Sequence, residues 1–306
     1  MKGFLVLEDG TVFRGESVGA EGFAFGEAVF TTAMTGYQEV VTDPSFAEQI
    51  VCFTAPMVGN YGVAPQRSES GHVFARAAIM REARGPAWTD WLVERSIPAL
   101  SGIDTRSLVI RLRERGAMRA AVVIGECSDE EALAAVQAQP SMEGRALAAE
   151  VSTREPYVAS DSGRARIAVV DYGCKRSILK RVAANGAAVD VFPHDTDADT
   201  LASYDGVLLS PGPGDPAPLT GEVQRLQELL GRVLVTSQNH GFAVAPGEGR
   251  GVTHVSLYDG TVEGLEFPEL RARSVQFHPE AGPGPHDAWP LLERWVEEVS
   301  GFAAAA

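Results

Sequence analysis

The spacing of apolar and polar residues changes character midway along the chain. Near the start it is hairpin-like: Phe4 to Leu7, an Asp9-Gly10 turn, then Thr11 to Phe13, the signature of two short strands joined tightly. Phe23 to Thr32 continues in short strand-like pieces. Thr35 to Phe46, rich in Gly, Asp, Pro and Ser, reads as a polar loop. Gln49 to Thr54 reads as a buried strand and Gly59-Asn-Tyr-Gly62 as a turn. Helical periodicity appears over 88–95, where Trp88, Trp91 and Leu92 share a face, and over 104–115 with Asp104 as cap. Ser128-Asp-Glu-Glu131 is a capping box that opens a helix running to about Gln139.

Past residue 165 the runs become continuous. Ile167 to Val170 is an apolar strand, followed by the Asp171-Tyr-Gly-Cys174 turn and a helix over about 175–185. Val189 to Phe192 and Gly206 to Leu209 are two more such strands. A helix over 219–230 and a strand over 232–236 follow, then a hairpin over Val252 to Glu263 turning at Asp259-Gly260. Trp289, Leu291, Leu292, Trp295 and Val299 make the stripe of a last helix over 286–300. Strands alternating with helices imply a parallel sheet covered on both faces. Residues 151–165 have linker composition. The fold class expected is therefore α/β: a mixed, β-rich domain over 1–150, a linker over 151–165, and an open, mainly parallel α/β domain over 166–306.

Composition narrows the function. At 306 residues the chain can build two cores. A net charge of −15 argues against a nucleic-acid partner, which needs clustered Lys and Arg. No apolar run approaches the ~18 residues of a membrane span, and the N-terminus turns acidic too early for a signal peptide. Cys52, Cys127 and Cys174 are odd in number and widely spaced, which suits neither a disulfide framework nor a metal site. A cytoplasmic, reducing location is expected.

Candidate chemistry gathers in residues 274–288. The apolar run Val275 to Phe277 delivers His278 and Glu280 where a strand would leave a sheet. In extended backbone, residues two apart point to one side, so an imidazole and a carboxylate can act as a base and its orienting group. A solvated ion pair at a strand end is the structural alternative. Ser210-Pro-Gly-Pro-Gly-Asp-Pro216 lies at a strand's C-terminal edge, where open α/β sheets place ligands; a plain Pro/Gly-rich turn is its alternative.

Taken together, Met34-Thr-Gly-Tyr-Gln-Glu-Val-Val-Thr-Asp-Pro-Ser45, Gly59 to Gly62, Gly102-Ile-Asp-Thr-Arg106, Ser210 to Pro216, Ser237-Gln-Asn-His-Gly-Phe242 and the 274–288 stretch resemble the small subunit of carbamoyl phosphate synthetase, in that family's order and over nearly the whole chain. The resemblance implies a class I glutamine amidotransferase domain. It would hydrolyse glutamine to glutamate and pass ammonia to a large synthetase subunit, for arginine and pyrimidine synthesis. That partner would use ATP, a divalent cation and bicarbonate, with no cofactor in this chain. Carried over by position, His278 is the general base and Glu280 its orienting carboxylate. Ser45, Gly212, Gly214, Asn239, Gly241 and Phe242 are the glutamine contacts.

One part of the family pattern is missing. Its nucleophile sits on a Gly-x-Cys-x-Gly elbow between the Pro-Gly-Pro-Gly loop and the Gln-Asn-His segment, and no such motif occurs here. Only 24 residues separate Gly214 from Asn239. The helix and strand expected there leave no room for a further strand, elbow and return, and roughly 40 residues are absent by the family pattern. Cys174, in the first turn of the domain, and Ser237, at a strand end, are the substitutes to weigh; a lone cysteine is usually a small core residue, and Ser237 lacks flanking glycines. Two expectations follow: a glutaminase subunit by ancestry whose chain lacks its elbow, or a binding subunit that docks without hydrolysing glutamine.

Overall fold

The computed structural model describes residues 1–214, 251–255, 261–280 and 288–305. They divide into two compact units, Met1–Glu143 and Gly144–Ala306. In the first, β1 (Lys2–Leu7) and β2 (Val12–Ser17) pair antiparallel with Leu5 opposite Phe13. The turn between them is set by Gly10 at a φ of 85° and by Thr11 N–H donating to Asp9 Oδ1 at 3.0 Å. β3 (Gly22–Thr31) is one ten-residue strand, not the series of short pieces expected. With β4 (Gln49–Phe53), β5 (Ala77–Ile79), β6 (Ala99–Ser101) and β7 (Met118–Ile124) these strands close into a barrel of order β1-β2-β6-β5-β4-β3-β7.

Alternation along the strands divides the packing. Leu5, Leu7, Ile50, Cys52, Ile79 and Val122 join a cluster with Leu108 and Leu112 of α3 (Thr105–Arg115). The alternate residues Val51, Phe53 and Ala78 pack instead with Val41 of α1 (Tyr37–Thr42) and with Trp88 and Leu92 of α2 (Pro86–Glu94). Val6 and Val123 take Ala132 and Val136 of α4 (Asp129–Gln137), which the Ser128–Glu131 capping box opens.

The polar loop expected over 35–46 is corrected: it forms α1 and a short 3-10 turn at Pro44–Phe46, largely buried. Its polar residues go inside because they bond backbone. Gln38 donates from Nε2 to the Ala64 carbonyl at 2.8 Å and accepts the Ala64 N–H at 2.9 Å. Thr42 Oγ1 donates to the Gln38 carbonyl and accepts the Glu69 N–H. Buried polar groups satisfied in this way cost little.

In the second unit, β9 (Ala165–Asp171), β10 (Ala187–Pro193) and β11 (Gly206–Leu209) are parallel, and β8 (Tyr157–Ser160) lies antiparallel at the edge, in the order β11-β9-β10-β8. The linker expected over 151–165 is corrected by β8, which pairs Tyr157 with Val191, and by α5 (Ala148–Val151) just before it; the division falls after Glu143. The sequence signal failed because an edge strand needs no buried face. Val158 is 63% exposed.

Both faces of this sheet are covered, which explains the continuous apolar runs. Ile167 and Val169 pack on Ile178 and Val182 of α6 (Arg176–Ala184) and on Leu292, Trp295 and Val299 of a C-terminal helix, Trp289–Ala305. Ala168, Val170 and Leu209 face Leu201 of α7 (Ala198–Ala202). Three antiparallel strands, β12 (Gly251–Val255), β13 (Val262–Phe267) and β14 (Ala272–Val275), lead to His278. The C-terminal helix is α8. The elements expected over 219–230 and 232–236 and the turn at Asp259-Gly260 lie outside the described residues.

Candidate active site

The site is built on a turn at the C-terminal end of β9. Asp171, 8% exposed, accepts three backbone N–H groups: Gly173 at 2.9 Å and Cys174 at 2.6 Å on Oδ1, and Thr153 at 2.8 Å on Oδ2. This folds the chain sharply and delivers Lys175 to the first position before α6. A cation at a helix N-terminus is disfavoured by the helix dipole, and Lys175 is only 1% exposed, so it needs a counter-charge. Glu280, 2% exposed, supplies it through an ion pair to Lys175 Nζ.

Glu280 also holds His278. The imidazole Nδ1 lies 2.7 Å from Glu280 Oε1 and 3.2 Å from Lys175 Nζ. The carboxylate can only accept, so Nδ1 carries the proton and donates to Glu280, while the ammonium directs its protons to the carboxylate. Nε2 is left with its lone pair, on a ring whose side chain is 26% exposed. Burial alone would raise the Glu280 pKa; the Lys175 charge and the His278 hydrogen bond outweigh it and hold the carboxyl at about 2. A further hydrogen bond, Trp289 Nε1 to the Glu280 carbonyl at 2.9 Å, ties this residue to α8. The array is a base with its tautomer fixed and a charge ready to stabilise an imidazolium.

The backbone differs from the extended one expected. β14 stops at Val275, His278 lies outside any regular element, and Pro279 and Glu280 form a turn. The two side chains meet outside the strand, with Lys175 Nζ paired to the same Glu280 carboxylate. Lys175 itself was not singled out from the sequence. A signal was present: only three lysines occur in the chain, Lys2, Lys175 and Lys180, and one of them directly follows a strand-end turn.

The same turn organises the candidate glutamine loop. Tyr172 N–H donates to Ser210 Oγ at 2.9 Å, and Ser210 N–H to the Val170 carbonyl at 3.1 Å. A Cβ on Gly212 would fall 2.1 Å from the Tyr172 carbonyl oxygen; one on Gly214, whose φ is 86°, would fall 2.7 Å from that of Arg145. Both glycines are thus required by the chain's own packing. Ser45 lies in the first unit, 6% exposed, its N–H donating to Asp43 Oδ1 at 2.8 Å and its Oγ buried with no hydrogen-bond partner among the described residues. Asn239, Gly241, Phe242 and Ser237 lie outside the described residues. Cys174 packs part-buried against the core of the second unit, its Sγ 3.6 Å from the Lys175 carbonyl. Among the described residues no three His, Cys, Asp or Glu side chains are placed to hold a metal ion, and no helix is long and apolar enough to cross a membrane.

An open α/β sheet with a carboxylate-oriented histidine at its C-terminal edge is the arrangement of a triad-type amidotransferase domain, and residues 168–233 and 218–297 match the model of the class I glutamine amidotransferases. Residues 5–122 match the CPSase domain of the carbamoyl-phosphate synthase small chain. Proteins described as carbamoyl phosphate synthase small chain are 40% identical in Xanthomonas campestris pv. campestris, over 97% of this chain and 97% of that one, 36% in Pseudomonas syringae pv. tomato (97% and 98%), and 38% in Thermosynechococcus vestitus (97% and 96%). The chain belongs to the carbamoyl phosphate synthase small chain family.

The same comparisons bear on the gap. The two class I matches both use residues 218–233. The Xanthomonas alignment runs over 366 positions, while 97% of this chain is only about 297 residues, so about 69 positions have no residue here.

Proposed function

We propose that the chain is the small subunit of a carbamoyl phosphate synthetase that keeps the base arm of a glutaminase and does not itself turn glutamine over. The observation that carries this is the Lys175–Glu280–His278 array, built on the same turn whose Tyr172 holds Ser210, in a sequence with no Gly-x-Cys-x-Gly elbow. Glutaminase chemistry of this type needs a thiolate to attack the amide carbon and form a thioester, a histidine to carry the thiol proton to departing ammonia, and N–H groups for the oxyanion. His278 would be that proton carrier and Glu280 its orienting group. Ser45, Gly212, Gly214, Asn239, Gly241 and Phe242 would contact glutamine. ATP, a divalent cation and bicarbonate would belong to the large subunit, the partner that receives ammonia.

The test is glutamate release from glutamine by the purified chain with its large subunit present. Loss of a triad nucleophile lowers turnover by about six orders of magnitude, so none should be measurable, while carbamoyl phosphate formation from free ammonium should persist. Turnover near that of a relative bearing the elbow overturns the proposal; Cys174→Ala and Ser237→Ala would then identify the nucleophile.

A further inference from the structure

The first unit contains eleven arginines. Six pair with carboxylates: Arg14, Arg76, Arg84, Arg95, Arg111 and Arg119. Arg67 lies over the Tyr61 ring. The four outside any such ion pair among the described residues are Arg81, Arg106, Arg113 and Arg115; the last three lie on α3, and Arg81 is close enough to the α3 cap Asp104 to lower its pKa, behind that cap's own hydrogen bonds to Ser107. At 100° per residue, Arg106, Ile110 and Arg113 fall within about 60° of one another, on the side opposite the buried Leu108 and Leu112. Arg115 falls about 180° from Arg106. Ile110 is 40% exposed between the two arginines.

The chain itself gains little from this stripe. Arg113 suits its place in the last turn of α3, but Arg106 sits in the first turn and Arg81 beside the cap, where the helix dipole disfavours cations. In a protein of net charge −15, most arginines of this unit face carboxylates, and among the described residues Arg106, Arg113 and Arg115 have none in ion-pair reach. Arginine around an exposed aliphatic residue is the composition of an interface centre, not of a solvated face.

We propose that the Arg106–Ile110–Arg113 face of α3 is a docking surface for an acidic patch on a protein partner. The proposal rests on the reading of the chain as a synthetase small subunit and names the part of it that meets the large subunit.

The experiment measures the affinity of the full chain for the purified synthetase large subunit by calorimetry, at two salt concentrations. R106E/R113E should weaken binding at least ~30-fold and flatten its salt dependence, because reversed charges at an interface both repel and lose steering. Arg115→Glu should change it less than ~2-fold, as a charge off the interface does. Thermal unfolding of each variant checks the fold, and the milder R106Q/R113Q, expected to weaken binding ~5-fold, serves if charge reversal prevents folding. Equal affinity of wild type and both double variants overturns this proposal alone. No binding by wild type overturns the small-subunit reading with it. An effect of R106E/R113E on self-association of the chain alone, with no effect on the large subunit, assigns the face to a second copy and overturns the proposal.

Discussion

In the first unit Gln38 closes two hydrogen bonds on the backbone of Ala64, and Thr42 bridges Gln38 and Glu69; three of these four bonds tie α1 to the 64–69 segment, the fourth lies within α1, and none involves a net charge. In the second, Lys175 and Glu280 are buried as ions, bonded to each other and to His278, and Glu280 Oε2 has no hydrogen-bond partner among the described residues. The first pattern fixes a buried segment in place. The second concentrates charge around one ring and leaves it partly unsatisfied, which stabilises a fold poorly but orients a base well. Buried polarity in this protein therefore has two uses, and they can be told apart by mutation and by pH.

The largest effect should follow Lys175→Met, which leaves Glu280 as a buried charge with no cation. Breaking such a pair costs about 3–5 kcal/mol, read by urea unfolding at pH 7, and Lys175→Met combined with Glu280→Gln should recover much of it. A loss under about 1 kcal/mol would remove the distinction between the two regions.

Acid should act on the second unit next. Glu280 is held at about 2, below the ordinary 4.5, so the unfolded chain takes up a proton first as pH falls. Its contribution is fully present above the unfolded value and is lost as pH drops toward 2. About 1.4 kcal/mol per pKa unit gives roughly 3 kcal/mol in all. Unfolding free energies of wild type minus Glu280→Gln, measured from pH 6 to pH 2.5, should show that slope; a flat difference contradicts it.

Gln38→Ala should be smaller and different in kind. It strands the part-buried N–H and C=O of Ala64, a loss of about 1–3 kcal/mol, and because no ionisable group is involved the loss should stay constant from pH 4 to pH 8. A pH-dependent loss would mean that the polar network of the first unit is also electrostatic. Ser128→Ala, at the exposed α4 cap, gives the reference for an ordinary surface hydrogen bond. It should cost about 1 kcal/mol by the same urea titration.

Local signals were legible from residues alone. The Asp9-Gly10 hairpin, the Ser128–Glu131 box and the apolar runs of β9, β10 and β11 follow from turn chemistry, capping and burial, each decided within a few neighbours. The segment 35–46 looks like a loop in sequence because Gln38 and Thr42 are polar by themselves and buried only once Ala64 and Glu69 reach them. β8 looks like linker in sequence because this exposed edge strand shows no alternation.

What the sequence by itself determined is the alternation of strands and helices, the presence of His278 and Glu280 two residues apart, and the lack of any Gly-x-Cys-x-Gly elbow, since all three are properties of order along the chain. What only the tertiary structure decided is that Lys175, 103 residues from His278, completes the pair. No spacing rule reaches that far: the contact exists because the turn after β9 meets the segment after β14, and a buried carboxylate there requires a cation.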